Sequence, residues 1–323
     1  MDMRVSVVIP VRDEELTIGD LLDSLAGQTR APDEVVVADG GSRDRTPEIV
    51  EEYARKDGRI RLIRTRGAYP GEGRNLGVRA ASHDMISFTD AGIRLDRSWI
   101  EKLCEPMEKD PSVDVVYGSY EPAADTFFKE CAALAYVPAP VERGSGRIRG
   151  PSIASSLMKR SVWEAVGGFP PYRAAEDLIF MESVEKGGFR IAYAPGAVAY
   201  WQLPDGWRST FRRFATYSHE NLVAGRGRYW HAGVARMYGV ALAFAVLGAL
   251  HASWWWLVPL GGFVARVLTT AAGKRQAFAF TDVFRPARLL VLAGLILLLD
   301  AATLFGAATW MLARLDRDRR SSS

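Results

Sequence analysis

Residues 5–26 read VSVVIPVRDEELTIGDLLDSLA, and this stretch decides the fold. Val5–Ile9 is a β-branched run with the composition of a strand, and Pro10 is placed to turn the chain away from a sheet. From Glu14 to Ala26 the residues Leu16, Ile18, Leu21, Leu22 and Leu25 gather on one side at helical spacing. The same strand-then-helix unit recurs. Strands are predicted at Val35–Ala38, Ile60–Arg64, Met85–Thr89 and Val113–Tyr117. Helices are predicted at Thr46–Lys56, Gly73–Ser82 and Arg97–Lys109, with Pro47 at a favoured early helical position. Such alternation predicts an α/β fold, a mostly parallel twisted sheet with helices on both faces.

From Tyr120 to about Gly150 the regularity fails, with Pro122, Pro138, Pro140, Gly144 and Gly146 as breakers, so a loop-rich acceptor-side segment is expected. A strand at Ala154–Met158 and a helix from Ser161 follow, then Gly167-Gly168-Phe169-Pro170. Glu176-Asp177 open a helix to Lys186, and Arg190–Ala194 is a last strand.

Ligands of open parallel sheets bind at the carboxyl ends of the strands, which singles out Pro10–Glu14, Asp39–Asp44 and Asp90–Gly92. In Pro10-Val11-Arg12-Asp13-Glu14 the acids suit the start of a helix as well as they suit a ligand. Asp39-Gly40-Gly41 offers a carboxylate beside a backbone that a ligand can approach closely. That carboxylate can accept from ribose hydroxyls or a base N–H, while Ser42 and Thr46 can cap the next helix. Asp90, alone at the tip of a hydrophobic strand, is placed to hold a divalent cation against a diphosphate. Arg74, next to Asn75, is a forked donor available to a phosphate. Glu176-Asp177 can supply a general base or merely cap their helix.

Composition narrows the setting. The formal charge of +3 is too small to indicate a nucleic-acid partner. Cys104 and Cys131 give neither a disulfide framework nor metal spacing, and His83, His219, His231 and His251 have no metal-like spacing. Met237 to Ala265 contains no Asp, Glu, Lys or Arg, and Leu289 to Ala313 contains only Asp300. Both exceed the roughly 20 apolar residues that cross a bilayer. A hairpin of segments 236–251 and 253–271 is expected, then a third at 288–313, with two spans as the alternative. Asp300 is either functional or a helix-packing residue. Trp254-Trp255-Trp256 suits an aromatic belt. Trp207–Leu222 sets Trp207, Phe211, Phe214 and Tyr217 against Arg208, Arg212 and Arg213, the pattern of an interfacial helix. Those arginines, with Arg226, Arg228 and Arg236, favour the anionic cytoplasmic leaflet. The N-terminus enters a strand pattern directly, so a cytoplasmic catalytic domain on a multi-pass cell-membrane protein is expected. The expected division is a catalytic domain at 1–205, an amphipathic juxtamembrane segment at 206–235 and an anchor at 236–314.

Six segments together resemble a family 2 glycosyltransferase of the A-type nucleotide-sugar fold: SVVIPVRDEE at 6–15, ADGGSRDRT at 38–46, GEGRNLGVRAA at 71–81, FTDAG at 88–92, VGGF at 166–169 and ED at 176–177. The resemblance covers about 1–200. It implies that Pro10, Asp13 and Asp39, with their neighbours Val11, Arg12, Glu14 and Gly40, hold the nucleotide. It also implies that Asp90 begins a metal-binding Asp-x-Asp for Mg2+ or Mn2+, and that Asp177 is the catalytic base of an inverting displacement. Glu176 is its companion, and Arg74 and Asn75 complete the donor side. Two departures stand out. Gly92 occupies the place of the second metal carboxylate, and the Gln-x-x-Arg-Trp signature of processive synthases is replaced by Gln202, Trp207 and Arg208 in a different order and spacing. The implied activity is transfer of one sugar from a nucleotide diphosphate donor to a membrane-associated, lipid-linked acceptor in cell-envelope glycan or glycolipid synthesis. The missing carboxylate motivates the alternative, a catalytically degenerate nucleotide-sugar-binding partner of a membrane glycan assembly complex.

Overall fold

The computed structural model describes residues 3–143, 146–275 and 282–321; the expected breaker Gly144 lies outside them. The chain divides into two compact units, Met1–Ala123 with Pro140–Gln202, and Ala124–Ala139 with Leu203–Ser323.

In chain order the elements are β1 Val5–Val11, α1 Ile18–Ala26, β2 Glu34–Asp39, α2 Thr46–Lys56, β3 Ile60–Arg64, α3 Pro70–Ala80, β4 Met85–Phe88, β5 Ile93–Leu95 and α4 Trp99–Lys109. They continue with β6 Val115–Ala123, α5 Phe127–Tyr136, β7 Val141–Arg143, β8 Gly146–Ile148, β9 Ser156–Lys159, α6 Arg160–Val166, α7 Glu176–Lys186 and β10 Ile191–Gln202. The last helices are α8 Trp207–Val223, α9 Gly227–Leu250, α10 Leu257–Gly273 and α11 Pro286–Ser321.

The first unit is built on a main sheet in the order β3-β2-β1-β4-β9-β6-β10-β5, with β7 and β8 as a separate antiparallel pair. Strands β3, β2, β1, β4, β6 and β10 run one way; β9 and β5 run against them. The sheet is buried on both faces, so its central strands are continuous apolar runs. Val5, Val7, Ile9 and Val11 pack under α1, α2 and α4 with Leu21, Leu22, Val50 and Trp99. Val8, Val36 and Phe88 pack under α3 and α7 with Val78, Phe180 and Val184. Each fully buried aliphatic side chain contributes about 1.5–3 kcal/mol.

The mostly parallel sheet with helices on both faces is the expected one, and four local expectations need correcting. Helix α1 begins at Ile18 rather than Glu14, because Asp13 takes a left-handed φ of 56° and the next residues turn toward a neighbouring loop. Pro10 does not close β1; it pairs in register with Ala38 one residue before the strand ends. The final strand continues past Pro195-Gly196, which a register shift between Tyr193 and Val198 absorbs. The expected loop after Tyr120 contains α5, flanked rather than interrupted by Pro122 and Pro138 and capped by Thr126 Oγ1, which accepts from the Lys129 amide.

Helix α5 belongs to the second unit. There Phe128 meets Trp207 at 5.4 Å and Tyr136 meets Phe214 at 4.7 Å, while Phe211 meets Phe305 at 5.6 Å. The aromatic side of α8 thus meets α5 and α11, while Trp207 and Tyr217 stay partly exposed. A Cβ at Gly306 would lie 2.5 Å from the Ala215 carbonyl oxygen, so glycine permits that close approach of α8 and α11. Among the described residues three helices are long and apolar enough to cross a membrane: His231–Leu250, Ser253–Gly273 and Pro286–Arg317. Their apolar windows are 6%, 11% and 39% buried within the protein, so the first two expose most of their apolar surface. Asp300 on α11 is a packing residue: Arg266 on α10 donates to both its oxygens at 2.5 and 2.9 Å, and Tyr238 on α9 donates at 3.0 Å.

Candidate active site

At the carboxyl ends of β1 and β2 two loops are laced together. The Asp13 amide donates to Ser42 Oγ at 2.9 Å, and Asp13 Oδ1 accepts from the Arg43 amide at 2.7 Å. The Glu14 amide donates to Thr46 Oγ1 at 2.7 Å, and the Glu15 amide donates to Asp44 at 3.0 Å. Glu15 Oε2 in return accepts from the Arg45 amide at 3.0 Å. The carboxylates of Asp13 and Glu15 are thus spent across the loop, while Glu14 gives only its amide there and its carboxylate accepts from Thr17 Oγ1 at 2.7 Å, so α1 starts later. Ser42 and Thr46 are likewise not helix caps, since α2 has no side-chain cap and both hydroxyls serve this lacing. Arg12 is exposed, and Val11 is buried opposite Asp39 in the β1–β2 register.

Asp39 is 3% exposed and accepts from Ser42 twice, from the amide at 2.9 Å and the hydroxyl at 2.6 Å, both on Oδ1. Gly40 has a packing reason: a Cβ there would lie 2.5 Å from the Ala68 carbonyl oxygen.

The second half of the site centres on Arg74 in α3. It donates to Asp90 Oδ1 at 2.6 Å and to Glu176 Oε1 at 2.8 Å, with only 4% of its side chain exposed. Each arm of the fork therefore gives one N–H to a carboxylate, in contrast to the expectation of a guanidinium facing only phosphate. Its Nε is buried with no hydrogen-bond partner among the described residues. The Phe169 ring lies 5.4 Å from the guanidinium carbon and stacks on Phe180 at 4.0 Å. Asn75 is committed to the same turn: its Nδ2 donates to the Phe169 carbonyl at 2.8 Å, and its Oδ1 accepts from the Phe169 amide and Trp163 Nε1. The sequence assigns no role to Phe169 or Trp163; the VGGF segment at 166–169 marks Phe169, and Trp163 lies outside it.

Burial alone would lower the Arg74 pKa, but the charges of Asp90, Glu176 and Asp177 outweigh it and push it up. Burial raises Glu176 to about 7, with Arg74 pulling the other way and the Asp177 charge adding to the rise. Asp177, half-buried beside it, is also raised by burial against the pull of Arg74. Ala175, which leads into this pair, has a φ of 68°; with Asp13 it is one of the two non-glycine residues of positive φ among those described. Such conformations cost about 1–3 kcal/mol and concentrate at functional sites.

A divalent cation takes about six or more oxygens. Asp90 is partly exposed and only its Oδ1 is held by Arg74, so it can contribute an oxygen. Among the described residues no three His, Cys, Asp or Glu stand together to hold a metal. The residues fit a cation only if a bound diphosphate and water supply the remaining ligands.

A nucleotide-sugar glycosyltransferase fold agrees with this sheet and with the acids at its carboxyl edge. Residues 6–161 match the family described as Glycosyl transferase family 2, a span that includes Asp39, Arg74 and Asp90 and stops short of Glu176-Asp177. The chain carries a glycosyl transferase family 2 domain. It is 32% identical over 121 residues to the uncharacterized glycosyltransferase EpsJ of Bacillus subtilis, covering 38% of this chain and 35% of that protein. It is 26% identical over 224 residues to the O-antigen chain rhamnosyltransferase RfbN of Salmonella typhimurium, covering 66% of this chain and 70% of that protein. The chain thus spans about a third of the length of EpsJ. Among solved structures it resembles the mannosyltransferase PcManGT of Pyrobaculum calidifontis in complex with GDP-Man and Mn2+, with a TM-score of 0.54 and 20% identity over 94% of this chain and 87% of that one. That likeness concerns the fold.

Proposed function

We propose that this protein is an inverting glycosyltransferase that moves one sugar from a nucleotide diphosphate donor to a membrane-associated, lipid-linked acceptor of cell-envelope glycan or glycolipid synthesis. The observation that carries the reading is the convergence of Asp90, Arg74 and Glu176-Asp177 at the edge of a sheet whose neighbouring strands present Asp39. Asp39 binds the nucleotide. Asp177 takes the proton of the acceptor hydroxyl as its oxygen bonds to the anomeric carbon. The bond from that carbon to the diphosphate breaks on the opposite side, and the nucleotide diphosphate leaves. A cation held by Asp90 together with the diphosphate would neutralise charge on the leaving group. The apolar helices α9, α10 and α11 support a membrane location, and we assign them as three spans with the catalytic domain in the cytoplasm.

The test is a screen of nucleotide diphosphate sugars by nucleotide release, using detergent-solubilised protein with and without a membrane lipid extract, and with and without chelator. Lipid-dependent release from one donor, abolished by chelator and restored by Mg2+ or Mn2+, is expected. Donor binding without release under every condition would instead favour a binding partner of a glycan assembly complex, the reading that the single carboxylate at Asp90 motivates. A compartment reporter at the C-terminus tests the topology: three spans put it outside the cytoplasm, two keep it within.

A further inference from the structure

We propose that Arg74 is a positioning residue for transfer: one buried guanidinium fixes the donor-side carboxylate Asp90 and the acceptor-side carboxylate Glu176 at a set separation. The inference rests on the reading above, that these acids flank the reacting sugar. Three elements meet at this side chain, which sits in α3, reaches past the end of β4 to Asp90, and reaches the first turn of α7 at Glu176. Phe169 lies under the guanidinium and Asn75 fastens the Phe169 turn, so the group has little room to move. A planar fork can hold two carboxylates at once, whereas an ammonium acts as a point charge. Glu176 is followed directly by Asp177, so the link also sets where the second acid stands. Displacement of a reacting group by about 1 Å can cost 100-fold in rate.

The proposal separates Arg74 from a phosphate ligand, because each of its outer nitrogens already holds a carboxylate through one of its two N–H groups. It also makes an electrostatic prediction opposite in sign to simple loss of structure. Arg74 is a positive charge 2.6 Å from Asp90, the acid to which the cation is assigned, so removing it leaves Asp90 more attractive to Mn2+ even as turnover collapses.

The experiment compares Arg74→Met and Arg74→Lys with the full-length wild type in detergent. It measures turnover, affinity for UDP and GDP by calorimetry, and Mn2+ affinity from the resonance of free Mn2+ with nucleotide diphosphate present. Expected for Arg74→Met is a loss in kcat of about 100-fold, nucleotide affinity within about threefold of wild type, and Mn2+ affinity equal or higher. Arg74→Lys, which keeps the charge and loses the fork, should recover Mn2+ behaviour and only part of kcat. A tenfold loss of nucleotide affinity in both variants would make Arg74 a phosphate ligand, and full kcat in Arg74→Met would remove any role. Parallel loss of Mn2+ binding, nucleotide binding and thermal stability in both variants would reduce Arg74 to a structural residue. Asp177→Asn, run alongside, separates the two readings. If it keeps full turnover, the site reading falls and this inference with it; if it is inactive while Arg74→Met is active, this inference alone falls.

Discussion

Ser42 donates to one oxygen of Asp39 twice, from its hydroxyl at 2.6 Å and from its amide at 2.9 Å. That leaves Asp39 Oδ2 with no hydrogen bond among the described residues, on a carboxylate that is otherwise buried. Oδ2 is not among the buried atoms left without a partner, so it stays open to a donor from a ligand. Asp39→Ala should therefore weaken nucleotide diphosphate binding by at least about tenfold, the loss of charge-assisted bonds worth about 1.5–3 kcal/mol. Ser42→Ala should cost less, about threefold, and the double variant should lose less than the sum, because Ser42 acts through Asp39. Calorimetry with UDP and GDP decides it; unchanged affinity in a folded Asp39→Ala protein rejects the assignment.

Glu176 gives the fold a pH dependence of known sign. Its folded value is raised to about 7 from an ordinary 4.5, mainly by burial. Between those values the folded protein holds a proton that the unfolded chain has released, so stability falls as pH rises through that window. Glu176→Gln removes this contribution. The melting temperature of the wild type, relative to the variant, should fall steadily from about pH 4.5 to 7; a difference that is flat across the range would place the Glu176 carboxyl at an ordinary value.

What the sequence made legible follows from how local each signal is. The apolar runs of β1, β2 and β4 and the one-sided helices α2 and α4 depend on near neighbours, so periodicity found them. Asp13 and Glu14 carry the composition of a helix start, and only the loop holding Ser42, Asp44 and Thr46 tells them otherwise. Arg74 looked available because nothing within its own segment pairs with it; its partner Glu176 is 102 residues away. Helix α5 was hidden by prolines that bound it, and its anchoring partners lie in α8 and α11. Asp300 could be flagged as unusual from its apolar surroundings, while its partner Arg266 stood just beyond the uncharged run.

The Arg266–Asp300 pair should hold α10 against α11. The Asp300 side chain is 3% exposed and takes three hydrogen bonds, so removing it strands a guanidinium among apolar helices. Breaking a fully buried pair from one side costs about 3–5 kcal/mol, and less is expected here because the Arg266 side chain is 34% exposed, whereas replacing both members with apolar residues can be neutral. Asp300→Ala should therefore lower the melting temperature in detergent, and Arg266→Met combined with Asp300→Leu should recover most of the loss. Equal stability of all three proteins would show that the pair contributes nothing to helix assembly.

Asp177 is the residue on which the chemical step should turn. It opens α7 behind the strained Ala175, half-buried, with Glu176 and Arg74 as charged neighbours and its carboxyl raised by burial. A base of raised pKa must lose its proton to act, so turnover should rise with pH across a range above that of an ordinary carboxylate. The limb belongs to the Glu176–Asp177 pair rather than to either acid alone. Asp177→Asn should lower kcat by about 100-fold or more while nucleotide affinity survives, since the nucleotide contacts are assigned to β1 and β2. The size of the loss also reports the acceptor. A hydroxyl needs deprotonation, whereas an acceptor phosphate arrives ionised and would tolerate the change far better. Glu176→Gln provides the comparison: near-normal turnover in Asp177→Asn with collapse in Glu176→Gln would move the base to the neighbouring acid. Full activity in both would leave transfer without a carboxylate base at this edge of the sheet, and the enzymatic reading would yield to that of a nucleotide-sugar-binding partner.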